Sequence, residues 1–185
     1  MYIKRTIEKS IERANKFFPV VLVTGPRQVG KTTVLQNCET QPRTYVSLDT
    51  LENRELAKND PTLFLQRYPV PVLIDEIQYA PELFPYIKAS VDKEKKSGMY
   101  WLTGSQQFHL MKNVSESLAG RVGILQLEGL SQDEKNGHPD VPPFLPTEEY
   151  IKTKVHSAAE TDLLKIYELI WKKTCLIRYD LVTTG

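Results

Sequence analysis

The eight residues Gly25-Pro26-Arg27-Gln28-Val29-Gly30-Lys31-Thr32 constrain this chain more than any other feature, because they join an apolar run ending at Val23 to a helix expected to begin near Lys31. A glycine at each end frees the backbone for turns that side chains would obstruct. A strand feeding a helix through such a bend suits an alternating strand-helix fold, whose right-handed crossovers require a mostly parallel sheet.

The rest of the chain keeps that alternation. Short apolar runs at residues 20–23, 45–48, 70–74, 99–102 and 122–127 predict five buried strands. Between them, Leu83, Phe84, Ile87 and Val91, and again Leu110, Met111, Val114 and Leu118, recur at helical spacing. Pro81 suits a first helical turn, Ser97-Gly98 a helix end, and Asp60-Pro61 the start of a short helix. Ile3, Ile7, Ile11 and Ala14 form one apolar stripe on an N-terminal helix whose other face is basic, and docking on the sheet is its plain reading. The fold class is therefore α/β, with helices covering the sheet.

After Leu130 the pattern weakens. Ser131 and Glu134 have capping-box spacing, residues 136–146 hold four prolines and read as a linker, and helical stretches follow at 147–155 and 162–172 before an unpatterned tail. The expected organisation is a core over 1–135, a linker over 136–146 and a helical extension over 147–185.

Charge and cysteine content narrow the classes. Lys plus Arg (24) nearly equals Asp plus Glu (23), so net charge gives no argument for nucleic-acid binding. Cys38 and Cys175, the two cysteines, have neither C-x-x-C spacing nor His partners at ligand spacing, so neither a zinc site nor a disulfide framework is indicated and a reducing compartment is the natural reading. No apolar run is long enough to span a bilayer, and Glu8, Lys9, Glu12 and Arg13 interrupt any signal-peptide core. A cytoplasmic protein is the expectation.

Residues 25–32 fit G-x-x-x-x-G-K-(S/T), in which successive backbone N–H groups and a helix N-terminus cradle phosphate oxygens. Gly25, Pro26, Arg27, Gln28, Val29, Gly30, Lys31, Thr32 and Thr33 are the expected triphosphate contacts, Lys31 reaching the β- and γ-phosphates and Thr32 offering its hydroxyl to Mg²⁺. An apolar strand ending in Asp75-Glu76 supplies Asp75 as the second metal residue and Glu76 to polarise an attacking water. Ser105, after the next strand, is the expected γ-phosphate sensor, with Thr103 and Gln106 as competitors and a helix N-cap as the alternative. Arg121 reads equally as an arginine finger for a neighbouring subunit or as a cation at a helix C-terminus.

Taken in order, GPRQVGKTT, LIDEIQ, LTGSQ and LAGR make the chain resemble the bacterial and archaeal AAA+ superfamily ATPases whose P-loop domain precedes a C-terminal domain of unknown function. The resemblance covers about residues 1–172. It implies a three-layer P-loop NTPase fold, a sheet of strand order 5-1-4-3-2 and ATP rather than GTP. It assigns no chemistry to the stretch from Tyr45 to Pro61. Gly129 stands where those proteins usually carry Pro, which implies a looser end to the fifth strand. The chain also ends soon after Lys173, where they continue into a second domain, so a truncated or frame-shifted product is the expectation.

The resulting activity is Mg²⁺-dependent ATP hydrolysis. Its alternatives are a nucleotide-gated binding module with negligible turnover and a DNA-associated ATPase suggested by Lys4, Arg5, Lys9, Arg13 and Lys16; a small-molecule kinase is disfavoured by Glu76.

Overall fold

The computed structural model describes residues 2–105, 112, 114 and 116–139. The expectations for Gln106, for most of the helix over 108–119 and for the segment beyond 139 lie outside these residues.

Five strands, β1 (Val20–Gly25), β2 (Thr44–Ser47), β3 (Val72–Asp75), β4 (Tyr100–Ser105) and β5 (Val122–Gln126), form one sheet. Their order is β2-β3-β4-β1-β5, which is 5-1-4-3-2 read from the other edge, and every pairing is parallel. Strands β1, β3 and β4 are buried along their whole length, which is why they read as unbroken apolar runs rather than alternations.

Each central strand divides its side chains between two cores, following the two-residue period of a strand. Val20, Leu22, Val72, Ile74, Tyr100 and Leu102 join Ala57 of α3 (Leu51–Asn59), Phe64 of α4 (Pro61–Arg67) and Phe84, Ile87 and Val91 of α5 (Leu83–Glu94). Val21, Val23, Leu73 and Trp101 point the other way, onto Ile11 and Ala14 of α1 (Glu8–Phe17) and Val34 and Leu35 of α2 (Lys31–Asn37). The result is three layers, with α1 docked as its apolar stripe implies. Among the described residues no helix is long and apolar enough to cross a membrane.

Helix α4 starts where expected, while the two ends of α5 depart from expectation. Asp60 caps α4 by accepting from the Leu63 N–H at 2.9 Å, with Pro61 in the first turn. Pro81 lies two residues before α5, its carbonyl accepting from the Phe84 N–H at 3.1 Å. Lys95, in the left-handed conformation, ends α5; Gly98 instead packs beside Asn15, whose Oδ1 would lie 2.4 Å from an added Cβ. That Asn15 Oδ1 accepts from Trp101 Nε1 at 2.8 Å and from Arg43 at 3.0 Å, while the Arg43 guanidinium lies 3.9 Å over the Trp101 ring. Burial lowers the Arg43 pKa to about 10, against the opposing charge of Glu39.

The basic face expected on α1 needs one correction. The helix begins at Glu8, and Arg5, just ahead of it, is buried and paired with Glu134 instead of facing solvent.

Candidate nucleotide site

Parallel strands bring their carboxyl ends to one edge of the sheet, and there the loop after β1 turns into α2. Gly25 has φ +152°, and a Cβ built on it would lie 2.1 Å from the Leu127 carbonyl oxygen, so both conformation and space demand glycine. Gly30 has φ +89° with open space around it; its carbonyl accepts the Val34 N–H at 2.9 Å, starting α2. Gln28 takes φ +63°, a left-handed bend the sequence does not advertise.

Lys31 is 5% exposed, and its Nζ donates to the Gly25 carbonyl at 3.2 Å and the Pro26 carbonyl at 2.8 Å. The ammonium is thus folded into the loop's own bend. Thr33, one residue beyond the metal-type hydroxyl, is exposed, and its carbonyl accepts from Asn37.

The Thr32 hydroxyl donates to Asp75 Oδ1 at 2.6 Å, tying the loop to the end of β3. Two further hydroxyls converge on the same carboxylate: Thr103 donates to Oδ1, and Tyr45 donates to Oδ2 at 3.3 Å. Burial and the neighbouring Asp75 charge raise the Tyr45 pKa, so the phenol stays a donor. Thr32 and Asp75 provide hard oxygens of the kind Mg²⁺ takes in small number while keeping its waters. Among the described residues no cluster of three or more His, Cys, Asp or Glu offers a rival metal site.

Glu76 follows Asp75 in a left-handed conformation, φ +58°, its N–H donating to Thr103 Oγ1 at 3.0 Å and its carboxylate accepting from Gln78. Ser105 pairs in register with Gly25, and its buried Oγ makes no hydrogen bond. Arg27 donates to the Tyr79 hydroxyl at 3.4 Å, and the Arg54 guanidinium lies 4.1 Å from the centre of that ring.

Arg121 is the one expected site residue that does not join this group. It precedes β5, where its carbonyl accepts from the Val20 N–H at the start of β1, so it occupies the opposite edge of the sheet. Its guanidinium grips Asp92 at 2.6 and 3.1 Å and donates to the Ala119 carbonyl at 2.9 Å. The Arg121 hydrogen bond holds the Asp92 carboxyl below its ordinary range.

A family model described as an AAA domain matches residues 17–136, which takes in the loop, the acidic strand end and all five strands. The chain belongs to the AAA domain family. This AAA domain is 37% identical over 130 residues to uncharacterised proteins of Mycobacterium bovis and Mycobacterium tuberculosis, a match covering 69% of the chain but 29% of each relative. In fold it is similar to the Walker-type ATPase of Pyrococcus abyssi, with a TM-score of 0.52 and 18% identity over 76% of this chain and 60% of that one. With the AAA match and this fold, the chain carries a P-loop, ATPase-like domain, and it spans less than a third of the curated relatives it matches.

Three contributors to the site are absent from the sequence-derived set or only competitors in it. Thr103, which the sequence offers only as a competitor to Ser105, is the residue that touches both Asp75 and the Glu76 N–H. Tyr45 shares a strand face with Ser47, whose register partner is Asp75; that two-residue spacing was the available signal. Arg5 donates to the Val29 carbonyl inside the loop at 3.1 Å, a contact between residues 24 apart that no local pattern announces.

Proposed function

We propose that this AAA domain binds ATP with Mg²⁺ at the loop of residues 25–33 and hydrolyses it. The observation that carries the reading is the 2.6 Å hydrogen bond from Thr32 to Asp75, which joins the phosphate-type loop to the acidic strand end beside Lys31. In this reading Lys31 exchanges its two loop carbonyls for β- and γ-phosphate oxygens, and the N–H groups of residues 25–33 hold the remaining phosphate charge. Thr32 and Asp75 hold Mg²⁺, which would neutralise charge developing on the phosphates.

Glu76 acts on the attacking water as general base, oriented by Gln78 and by the Thr103 bond to its own N–H. Ser105, a buried hydroxyl without a hydrogen-bond partner next to Gly25, is the proposed γ-phosphate sensor. Arg121 lies too far round the sheet to serve its own chain, so a finger role for it requires a neighbouring copy in a homo-oligomer. The two cysteines without disulfide or metal spacing agree with a cytoplasmic setting.

A second reading, an ATP-gated switch with negligible turnover, is favoured by the engagement of Arg121 with Asp92, which occupies its guanidinium within its own chain. Phosphate release from Mg-ATP at rising protein concentration separates the two. Hydrolysis by the wild type that Glu76→Gln abolishes, with ATP binding retained, supports the enzyme. Equal turnover by Glu76→Gln would remove Glu76 from the mechanism, and none at any concentration favours the switch.

A further inference from the structure

Arg5 is a buried cation with four oxygen neighbours drawn from three separate parts of the chain. Its guanidinium donates to the Val29 carbonyl at 3.1 Å, to the Glu128 carbonyl at 2.7 Å and to the Gly129 carbonyl at 3.3 Å. Its Nε lies 3.2 Å from Glu134 Oε1, close enough for an ion pair although not aligned as a hydrogen bond. Both side chains are almost fully buried, at 7% and 6% exposure. Glu134 is in turn fixed from behind: Oε1 accepts the Thr6 N–H and Oε2 the Ser131 N–H, each at 2.8 Å, while Ser131 Oγ accepts the Glu134 N–H at 3.1 Å. The two bonds between Ser131 and Glu134 make the capping box of the helical turn Gln132–Lys135.

A planar trans peptide points its C=O and N–H in opposite directions. Whatever holds the Val29 carbonyl therefore also fixes where the Gly30 N–H donor points, and Gly30 alone, with φ +89° and no neighbour within 4 Å of a Cβ, has little of its own to fix it. Arg5 also grips the segment that presses on Gly25 just after β5, since Glu128 and Gly129 directly follow Leu127. A planar fork can span carbonyls on two segments at once; a lysine ammonium, a point donor on a flexible stem, cannot do so with the same rigidity.

We propose that Arg5 is a positioning residue for the nucleotide site: it sets the orientation of the Val29–Gly30 peptide and, through Glu134, couples the occupancy of the phosphate loop to residues 128–134, the segment that leaves the sheet after β5. The proposal rests on the loop being a nucleotide site. It gives Glu134 a role beyond its helix cap, as the anion that keeps Arg5 buried and aimed.

The test uses the whole chain, Mg-ATP, and two variants that keep most of the local structure. Arg5→Lys retains the charge but loses the fork; Glu134→Gln retains an oxygen for the capping box, which glutamine also satisfies, but loses the ion pair and the acceptor of the Thr6 N–H. Calorimetry should give a Kd weakened about fivefold or more in each folded variant. Amide hydrogen exchange should slow over residues 128–134 when Mg-ATP binds the wild type, and this slowing should disappear in both variants while the slowing over 25–33 persists.

Wild-type affinity and an intact response of 128–134 in either folded variant would overturn the coupling. Wild-type protein that binds no Mg-ATP would instead overturn the nucleotide reading and the coupling with it, so the two failures are distinct.

Discussion

Replacing Gly25 with alanine should damage this protein more than the same change at Gly30, for a reason readable from two distances. An alanine Cβ at position 25 would lie 2.1 Å from the Leu127 carbonyl oxygen and 3.1 Å from its carbon, so the backbone must separate by at least about 0.9 Å to reach a tolerable contact. Leu127 cannot easily retreat: its N–H is bonded to the Thr24 carbonyl at 2.8 Å, and Arg5 grips the two carbonyls that follow. Overpacking of this kind costs about 1–3 kcal/mol, and holding an L-residue in a sparsely populated backbone region adds roughly 1–3 kcal/mol. At Gly30, with φ +89° and no atom within 4 Å of the added Cβ, only the conformational cost remains. That cost is roughly 1–2 kcal/mol.

With a urea slope of about 2 kcal/mol/M, the midpoint should fall by about 1–3 M for Gly25→Ala and about 0.5–1 M for Gly30→Ala. Urea titration followed by Trp fluorescence measures both, since Trp101 sits in the core beside β1. A Gly25→Ala midpoint no lower than that of Gly30→Ala would refute the close-approach argument.

Two other outcomes follow from polar groups held by hydrogen bonds at half-buried Asn15 and buried Glu134. Asn15→Ala removes the shared acceptor of Trp101 Nε1 and Arg43 and should cost about 1–3 kcal/mol, whereas Asn15→Asp, which keeps the acceptor, should cost less; thermal unfolding checks the order, and an alanine variant as stable as wild type would contradict it. The Glu134 carboxyl is pulled below its ordinary 4.5: burial resists the charge, but the Thr6 and Ser131 N–H groups and Arg5 outweigh it. A depressed carboxyl contributes stability that is fully present above its unfolded value and lost as pH falls through the lower folded one. The stability gap between wild type and Glu134→Gln should therefore hold steady above about pH 5.5 and narrow on acidification below 4.5, as urea midpoints across that range would reveal; a widening gap would reverse the sign of the argument.

What the sequence made legible depended on whether a feature is local. The loop, Asp75 and the central strands are contiguous signals: β1, β3 and β4 are buried on both faces and so appear as unbroken apolar runs. Those runs mark only the apolar part of each strand. Strands β1 and β4 extend through Thr24-Gly25 and Thr103-Gly104-Ser105, so Thr103 belongs to the ladder and faces Asp75 rather than following the strand as a turn. Helix α3 escaped notice because Ala57 is its only fully buried residue, too little to make a stripe.

Long-range contacts were invisible for a different reason. Arg5 meets the Glu128 carbonyl across 123 residues, and nothing in its basic neighbourhood separates it from the exposed cations of α1. Gly129, which differs from the proline expected by resemblance, has open space where a Cβ would go and no left-handed backbone, so this position does not demand glycine. The observed strand order agrees with the one the resemblance implies, and no pattern in the residues alone specifies it.

The central claim is that Lys31, folded onto the Gly25 and Pro26 carbonyls, marks a triphosphate cradle closed by Thr32 and Asp75. Calorimetric titration of Mg-ATP into wild-type protein and Lys31→Ala tests it most directly. Saturable one-site binding by the wild type, weakened at least about tenfold in a variant that remains folded, is the predicted result. Equal affinity in the two proteins would contradict it.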